Sequence, residues 1–268
     1  MTLARTIRQG KQGKRALRLV EKEGTFYGLA DGKVCVEGTE PDRVWQQLHD
    51  DAGKSDPNYF GYAGARTRFL NFFPGGFHSE GYAYQERTYK LEAKKKLDAT
   101  APLDAALDGS GYGEAILSVY RATNMLSPFE KTRLQDVFRG PDADKVVQAA
   151  AMFARDGDKG SLERLETALK PHDAAKWTVA TYLPYLWQPE KHMFLKPEVT
   201  KDYATRVGHP FASAYQARLT FDVYASLLDL VERTSQELGD LEPSDRIDIQ
   251  SFIWVVGAYR DDTEGAYT

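Results

Sequence analysis

Residues 15–38 read RALRLVEKEGTFYGLADGKVCVEG, and this stretch decides the fold. Apolar and polar residues alternate through Ala16-Leu17-Arg18-Leu19-Val20, again through Thr25-Phe26-Tyr27-Gly28, and again through Lys33-Val34-Cys35-Val36. A period of two is the signature of a strand with one face buried. Between the runs stand Glu23-Gly24 and Asp31-Gly32. Such pairs tolerate positive φ and close tight hairpins. The stretch therefore predicts a small antiparallel meander. Thr39-Glu40-Pro41 follows as an N-cap with proline in the first turn, opening a helix through Val44, Trp45 and Leu48.

Downstream the spacing changes from two to that of a helix. Ser127-Pro128-Phe129-Glu130 has capping-box spacing before Leu134, Val137 and Phe138. An apolar-striped helix over 142–153 ends at Asp156-Gly157, and further helices are predicted over 162–169, 174–186, 199–207, 221–238 and 247–256. The fold class is mostly α (α+β): a multi-helix domain with a small N-terminal antiparallel β-meander. No β-α-β alternation supports a Rossmann or TIM barrel, and no fixed-period repeat supports a solenoid. A soft boundary between 98 and 111 sets residues 1–100 (basic arm, sheet, aromatic and Gly-rich helical segment) against a helical domain over 101–268, or the two form one continuous domain.

Among 268 residues there is a single cysteine, Cys35, which excludes an internal disulfide framework and a zinc site of Cys-pair type. The five histidines, at 49, 78, 172, 192 and 209, lack ligand spacing, so neither metal nor cofactor is expected. P-loop, Gly-x-Ser-x-Gly and His-Glu-x-x-His motifs are absent. With no apolar run near the ~18 residues of a membrane span, no membrane contact is expected and the expected location is the cytoplasm. Charge is uneven. Of 35 Lys and Arg, six fall in the first 18 residues, which hold no acid; the remainder carries 29 bases against 39 acids. A basic arm on an acidic body is the footprint of local phosphate binding, here by Arg5, Arg8, Lys11, Lys14 and Arg15 on DNA. The plainer reading is a solvated tail, or a first strand whose outer face is basic. Lys90, Lys94, Lys95 and Lys96 form a second cluster, read as solvation.

Residues 59–89 hold ten of the chain's 32 aromatics, interleaved with Arg66, Arg68 and Arg87. Rings that stack on unpaired bases and cations that hold the backbone are the ingredients of a nucleic-acid site. Phe72-Phe73-Pro74-Gly75-Gly76-Phe77 reads as a rigid turn presenting aromatics, with Phe73 or Phe77 as a wedge; the plainer reading is a core face. His78 and Glu80 beyond it have the chemistry of an acid/base pair, or are surface groups. Trp177 and Trp187 bracket an apolar helix and are candidate pocket walls. Lys196, between Leu195 and Pro197, is a candidate nucleophile if its surroundings lower its pKa, or a snorkelling lysine. Asp245 sits in the first turn of the last helix, where a carboxylate meets the positive helix end. Asp248, between Ile247 and Ile249, is either a buried capping residue or a carboxylate on a pocket floor.

Ile247-Asp248-Ile249-Gln250, with Phe252 and Trp254 behind it, resembles the catalytic-aspartate element of helix-hairpin-helix DNA glycosylases, with Gln250 where that family often has histidine. The basic arm and aromatic turns also resemble bacterial defence glycosylases that excise modified bases from invading DNA. The resemblance covers about ten residues. It implies a DNA N-glycosylase that flips its base. Arg66 and Arg68 would hold phosphates, Phe73 or Phe77 would fill the gap, Trp177 or Trp187 would wall the pocket, and Asp248 would stabilise the sugar oxocarbenium ion. Lys196 as an amine would add lyase chemistry. The competing class is a non-enzymatic helical module, an adaptor or inhibitor, docking a protein partner through the aromatic segment.

Overall fold

The computed structural model describes residues 4–12, 15–53 and 59–259. Four strands come first: β1 (Arg5–Gln12), β2 (Arg15–Lys22), β3 (Thr25–Ala30) and β4 (Lys33–Gly38). Helices follow in the order α1 (Pro41–Gly53), α2 (Gly61–Phe72), α3 (Glu80–Tyr82), α4 (Thr88–Thr100), α5 (Leu103–Asp108), α6 (Gly113–Arg121) and α7 (Pro128–Arg139). Then come α8 (Ala143–Asp156), α9 (Lys159–Leu169), α10 (Trp177–Trp187), α11 (Pro197–Arg206), α12 (Phe211–Ala214), α13 (Phe221–Glu237) and α14 (Arg246–Ala258). The fold is mostly helical with one small antiparallel sheet. None of the described helices is long and apolar enough to cross a membrane.

Contacts divide the chain into two compact units. One is Met1–Asn71 with Glu198–Tyr215 and Val255–Thr268; the other is Phe72–Pro197 with Gln216–Trp254. The 98–111 stretch thus falls inside the second unit.

In the first unit the sheet runs in order β1-β2-β3-β4, every pair antiparallel. Both hairpins after β2 close on two residues with positive φ, Glu23-Gly24 (54° and 79°) and Asp31-Gly32 (50° and 81°). This is the turn whose twist matches paired strands. The register places Leu17 opposite Ala30, and Leu19 opposite Gly28, which itself faces Val36. That face buries Leu17, Leu19, Ala30 and Val36 against Val44, Trp45, Leu48 and Ala52 of α1. Gly28 and Gly10 let the helix approach closely: a Cβ on Gly28 would stand 3.2 Å from Leu48, and one on Gly10 3.1 Å from Trp45. The basic segment is therefore built into strands rather than forming a free arm; Lys14 lies outside the described residues.

In the second unit α10 is buried on nearly all sides, as a helix apolar around its circumference must be. It packs against α8 and α4. Tyr182 on α10 stacks on Tyr120 with centroids 4.7 Å apart, and Trp177 donates from Nε1 to the Gln216 carbonyl at 2.8 Å. Ser127 and Glu130 form the reciprocal capping box of α7. Gly157, at φ 64°, ends α8 in the left-handed conformation.

Candidate functional site

The second unit holds a buried polar network at the start of α14. A π-helical turn, Ala83–Arg87, joins α3 to α4 and carries Glu86 and Arg87. Such turns are rare and are frequent at functional sites. Arg87 Nη1 donates to Asp248 Oδ1 at 2.5 Å and to Asp245 Oδ1 at 3.0 Å, while Nη2 donates to Asp245 Oδ2 at 2.8 Å. The Tyr82 hydroxyl also donates to Asp248 Oδ1, and the Ser244 amide donates to Asp248 Oδ2 at 2.7 Å. Asp248 is 1% exposed. Burial, then the Asp248 charge, push the Tyr82 phenol far above its usual pKa, so it remains a donor. Burial opposes the Arg87 charge, but its bonds to Asp245 and Asp248 outweigh this and raise its pKa.

Beside this hub Lys90 donates to Glu86 Oε2 at 3.0 Å and to Ser251 Oγ at 2.7 Å. Both charged side chains are buried. Burial lowers the Lys90 pKa, and Glu86 opposes the shift. Lys90 is thus an internal ion-pair partner, not the solvated residue that its cluster suggests.

Both carboxylate oxygens of Asp248 are engaged by internal donors, the arrangement expected of a buried charge held for structure. The neighbouring candidates are equally packed. Phe73 (2% exposed) and Phe77 (6%) stand edge-on to Tyr82, with centroids 5.7 and 5.3 Å away. The turn that looked like a presented wedge instead folds Phe77 inward. Gly76, buried at φ 61°, makes the reversal, its amide donating to the Phe73 carbonyl at 2.8 Å. Trp177 and Trp187 are core residues, the latter donating to the Ala101 carbonyl at 2.9 Å. Gln250 is buried two residues beyond Asp248. His78 faces Glu242 at 3.4 Å and Glu80 is exposed in the first turn of α3. Of the ten aromatics in 59–89 only Tyr84 is exposed.

Lys196 is half-buried, its Nζ 4.6 Å above the Trp254 ring and 3.4 Å from the Met125 carbonyl. Burial lowers its pKa and the Glu130 charge opposes the shift. The ammonium rests on a ring and beside a carbonyl, partly withdrawn from water.

The first unit offers a different surface. Gly10 and Leu17 are register partners facing the core, so their neighbours Gln9, Lys11, Ala16 and Arg18 face the other way, and all four are exposed. Gln9 sits directly opposite Arg18, and Lys11 opposite Ala16. The same face continues through the half-buried Val20 and Tyr27 and the buried Leu29 to Val34, which is 59% exposed, and to Glu37 on β4. Three bases of the segment are already paired: Arg5 with Glu21 at 3.8 Å, Arg8 with Asp42 at 2.5 Å, and Arg15 with Asp31 at 3.0 Å. Among the described residues no carboxylate pairs with Lys11 or Arg18. Arg68 donates from Nε to the Val256 carbonyl at 3.2 Å and from Nη2 to that of Tyr259 at 2.5 Å, placing its charge at the C-terminal end of α14. Arg66 is half-buried on α2.

Sequence reasoning missed Tyr82, Lys90 and Ser251 as members of the Asp248 network. The i,i+4 spacing of Glu86 and Lys90 was a legible signal for one of its pairs. Among the described residues no group of three or more His, Cys, Asp or Glu is placed to hold a metal ion. No protein-family model, no curated protein and no solved structure matches the chain.

Proposed function

We propose that the protein binds duplex DNA through the open face of its N-terminal sheet, with β1 and β2 as the contacting ribbon. One observation carries this reading: Gln9, Lys11 and Arg18 project together from paired strands on the face opposite the α1 core. A two-stranded ribbon fits the major groove, where Arg and Lys pair with guanine edges and Gln with adenine. A single aromatic on that face, the half-buried Tyr27, is too little for a single-strand stacking platform.

Excision of a base is less favoured. A glycosylase carboxylate must face the sugar as positive charge develops on it, whereas Asp248 accepts from Tyr82, Arg87 and the Ser244 amide. At 1% exposed, moreover, that carboxylate has no open side from which a sugar could reach it.

The test is fluorescence anisotropy with a labelled duplex and the matching single strand, over rising salt. Duplex binding should weaken with salt at a log–log slope of about −0.9 per phosphate contact. The charge-reversed double variant Lys11→Glu/Arg18→Glu should lose it. Absence of duplex binding at low salt, or equal binding by the variant, refutes the proposal. In parallel, alkali treatment of normal and base-modified DNA after incubation with the protein should produce no strand breaks. Breaks that disappear in Asp248→Asn would restore the excision reading.

A further inference from the structure

A cleft of about 320 Å³ opens in the second unit beside the start of α7, independently of the sheet and of the Asp248 network. Its floor is apolar, made by Leu134 and Val179, both buried. At its mouth stands Phe129, 87% exposed. A phenyl ring left in water beside a cavity forgoes roughly 1.5–3 kcal/mol of burial.

The polar lining is of both signs. Glu130 is half-buried, its Oε2 accepting from the Ser127 amide at 2.8 Å and from Ser127 Oγ at 2.7 Å, its Oε1 from Thr178 Oγ1. Burial favours the neutral acid, but Thr178, Ser127 and the Lys176 charge outweigh it and keep the Glu130 pKa below its usual value. Lys176 is exposed on the cleft wall. Arg133 and Asp173, also on the wall, pair with each other. The charges left to face a ligand are therefore one carboxylate, whose Oε1 holds a single internal donor, and one ammonium, beside an apolar floor and an open ring.

We infer that this cleft binds a zwitterionic small molecule with an apolar side chain, the size of one α-amino acid. Its ammonium would face Glu130, its carboxylate Lys176, and its side chain Phe129, Leu134 and Val179. Size argues the same way. The cleft is at the lower end of the ~300–1,000 Å³ typical of ligand pockets, too small for a dinucleotide or an extended peptide.

The experiment is calorimetric titration of the full chain with L-phenylalanine, with phenethylamine, which lacks the carboxylate, and with 3-phenylpropionate, which lacks the ammonium. L-phenylalanine should bind at least about tenfold more tightly than either analogue, the worth of one charge-assisted contact. Lys176→Ala should weaken L-phenylalanine by about tenfold and leave phenethylamine unchanged. Phe129→Ala should weaken all three. Both side chains are exposed, so neither variant endangers the fold. Lack of saturable binding by L-phenylalanine, equal binding by an analogue, or indifference to both variants would each overturn the assignment.

Discussion

Arg87 binds Asp248 across 161 residues of sequence, Nη1 to Oδ1 at 2.5 Å, from a guanidinium whose outer edge is held by Asp245. Arg87 is the last residue of the π-helical turn, and Asp248 lies in the first turn of α14. Asp248 and Asp245 there do for α14 what a side-chain cap does elsewhere: Asp248 accepts from the Ser244 amide and Asp245 Oδ1 from the Ile247 amide at 2.8 Å. One basic side chain, distant in sequence, thus pairs with both carboxylates at the start of the last helix.

Asp248→Ala should cost about 3–5 kcal/mol of unfolding free energy, the toll of leaving one partner of a buried pair uncompensated. The Tyr82 hydroxyl and the Ser244 amide lose their acceptor at the same time. Urea unfolding followed by circular dichroism measures this directly. A variant as stable as the parent would show that the carboxylate is not held for structure, and would move it back towards chemistry.

The Glu86–Lys90 pair makes a sharper test because both side chains are buried. Lys90→Met alone takes the ammonium away from a buried carboxylate and should cost about 3–5 kcal/mol. Glu86→Leu added to it removes the second buried charge, and the double variant should regain part of that loss, since buried pairs are often no better than apolar replacements. Ser251 is not orphaned by the change, because its hydroxyl still donates to the Ile247 carbonyl at 2.7 Å. A double variant no more stable than Lys90→Met would mean that the pair is itself net stabilising.

Two buried histidines set the acid limit. Burial first, then the charge of His209, lower the His49 pKa to about 3, and burial lowers that of His192 to about 4. His49 Nδ1 lies 3.0 Å from Gln12 Oε1, and His192 bridges the Tyr224 hydroxyl at 2.8 Å and the Ala154 carbonyl at 2.7 Å. Both rings are neutral when folded and protonate on unfolding below the ordinary value near 6.5. Their stabilisation is complete above about pH 6.5 and is lost as pH falls towards 4 and 3. At pH 5 each should have given up roughly 2 kcal/mol. Urea midpoints at pH 7.5 and 5.0 read the loss, which should shrink in His192→Gln relative to its own value at pH 7.5. A midpoint constant across that interval would contradict the assignment.

Local signals carried much of the fold. Glu23-Gly24 and Asp31-Gly32 were legible as hairpin turns because positive φ at two successive residues is a local demand that few residues meet. Ser127 and Glu130 were legible as a capping box for the same reason. The candidate site was far less so. Lys90 read as solvated because composition places lysines outside, and only α14, arriving from 161 residues away, supplies the Ser251 partner that holds it inside. Phe77 read as presented because a Gly-Gly turn looks like a loop. The backbone freedom of Gly76 instead serves to fold the ring onto Tyr82. The π-helical turn departs from the 3.6-residue period on which any reading of helix faces rests.

Gly113 gives a last test of how tightly the second unit is built. It opens α6 with its Cα set against the carbonyl oxygen of Phe138 near the end of α7, so a Cβ there would collide with backbone and stand 3.4 Å from Ala143 Cβ. Backbone cannot rotate aside as a flexible side chain can. Gly113→Ala should therefore cost about 3 kcal/mol, the upper part of the range for overpacking. Gly160, exposed in the first turn of α9, is the matched control: its added Cβ would meet nothing closer than Asp158 Oδ1 at 3.7 Å. Gly160→Ala should be neutral or more stable by about 0.5–1 kcal/mol, since alanine loses less backbone entropy in a helix. Thermal melts of the two variants side by side separate steric collision from helix propensity. Equal melting temperatures would show that α6 and α7 can move apart at little cost, and that the close approach at Gly113 is not part of what holds the unit together.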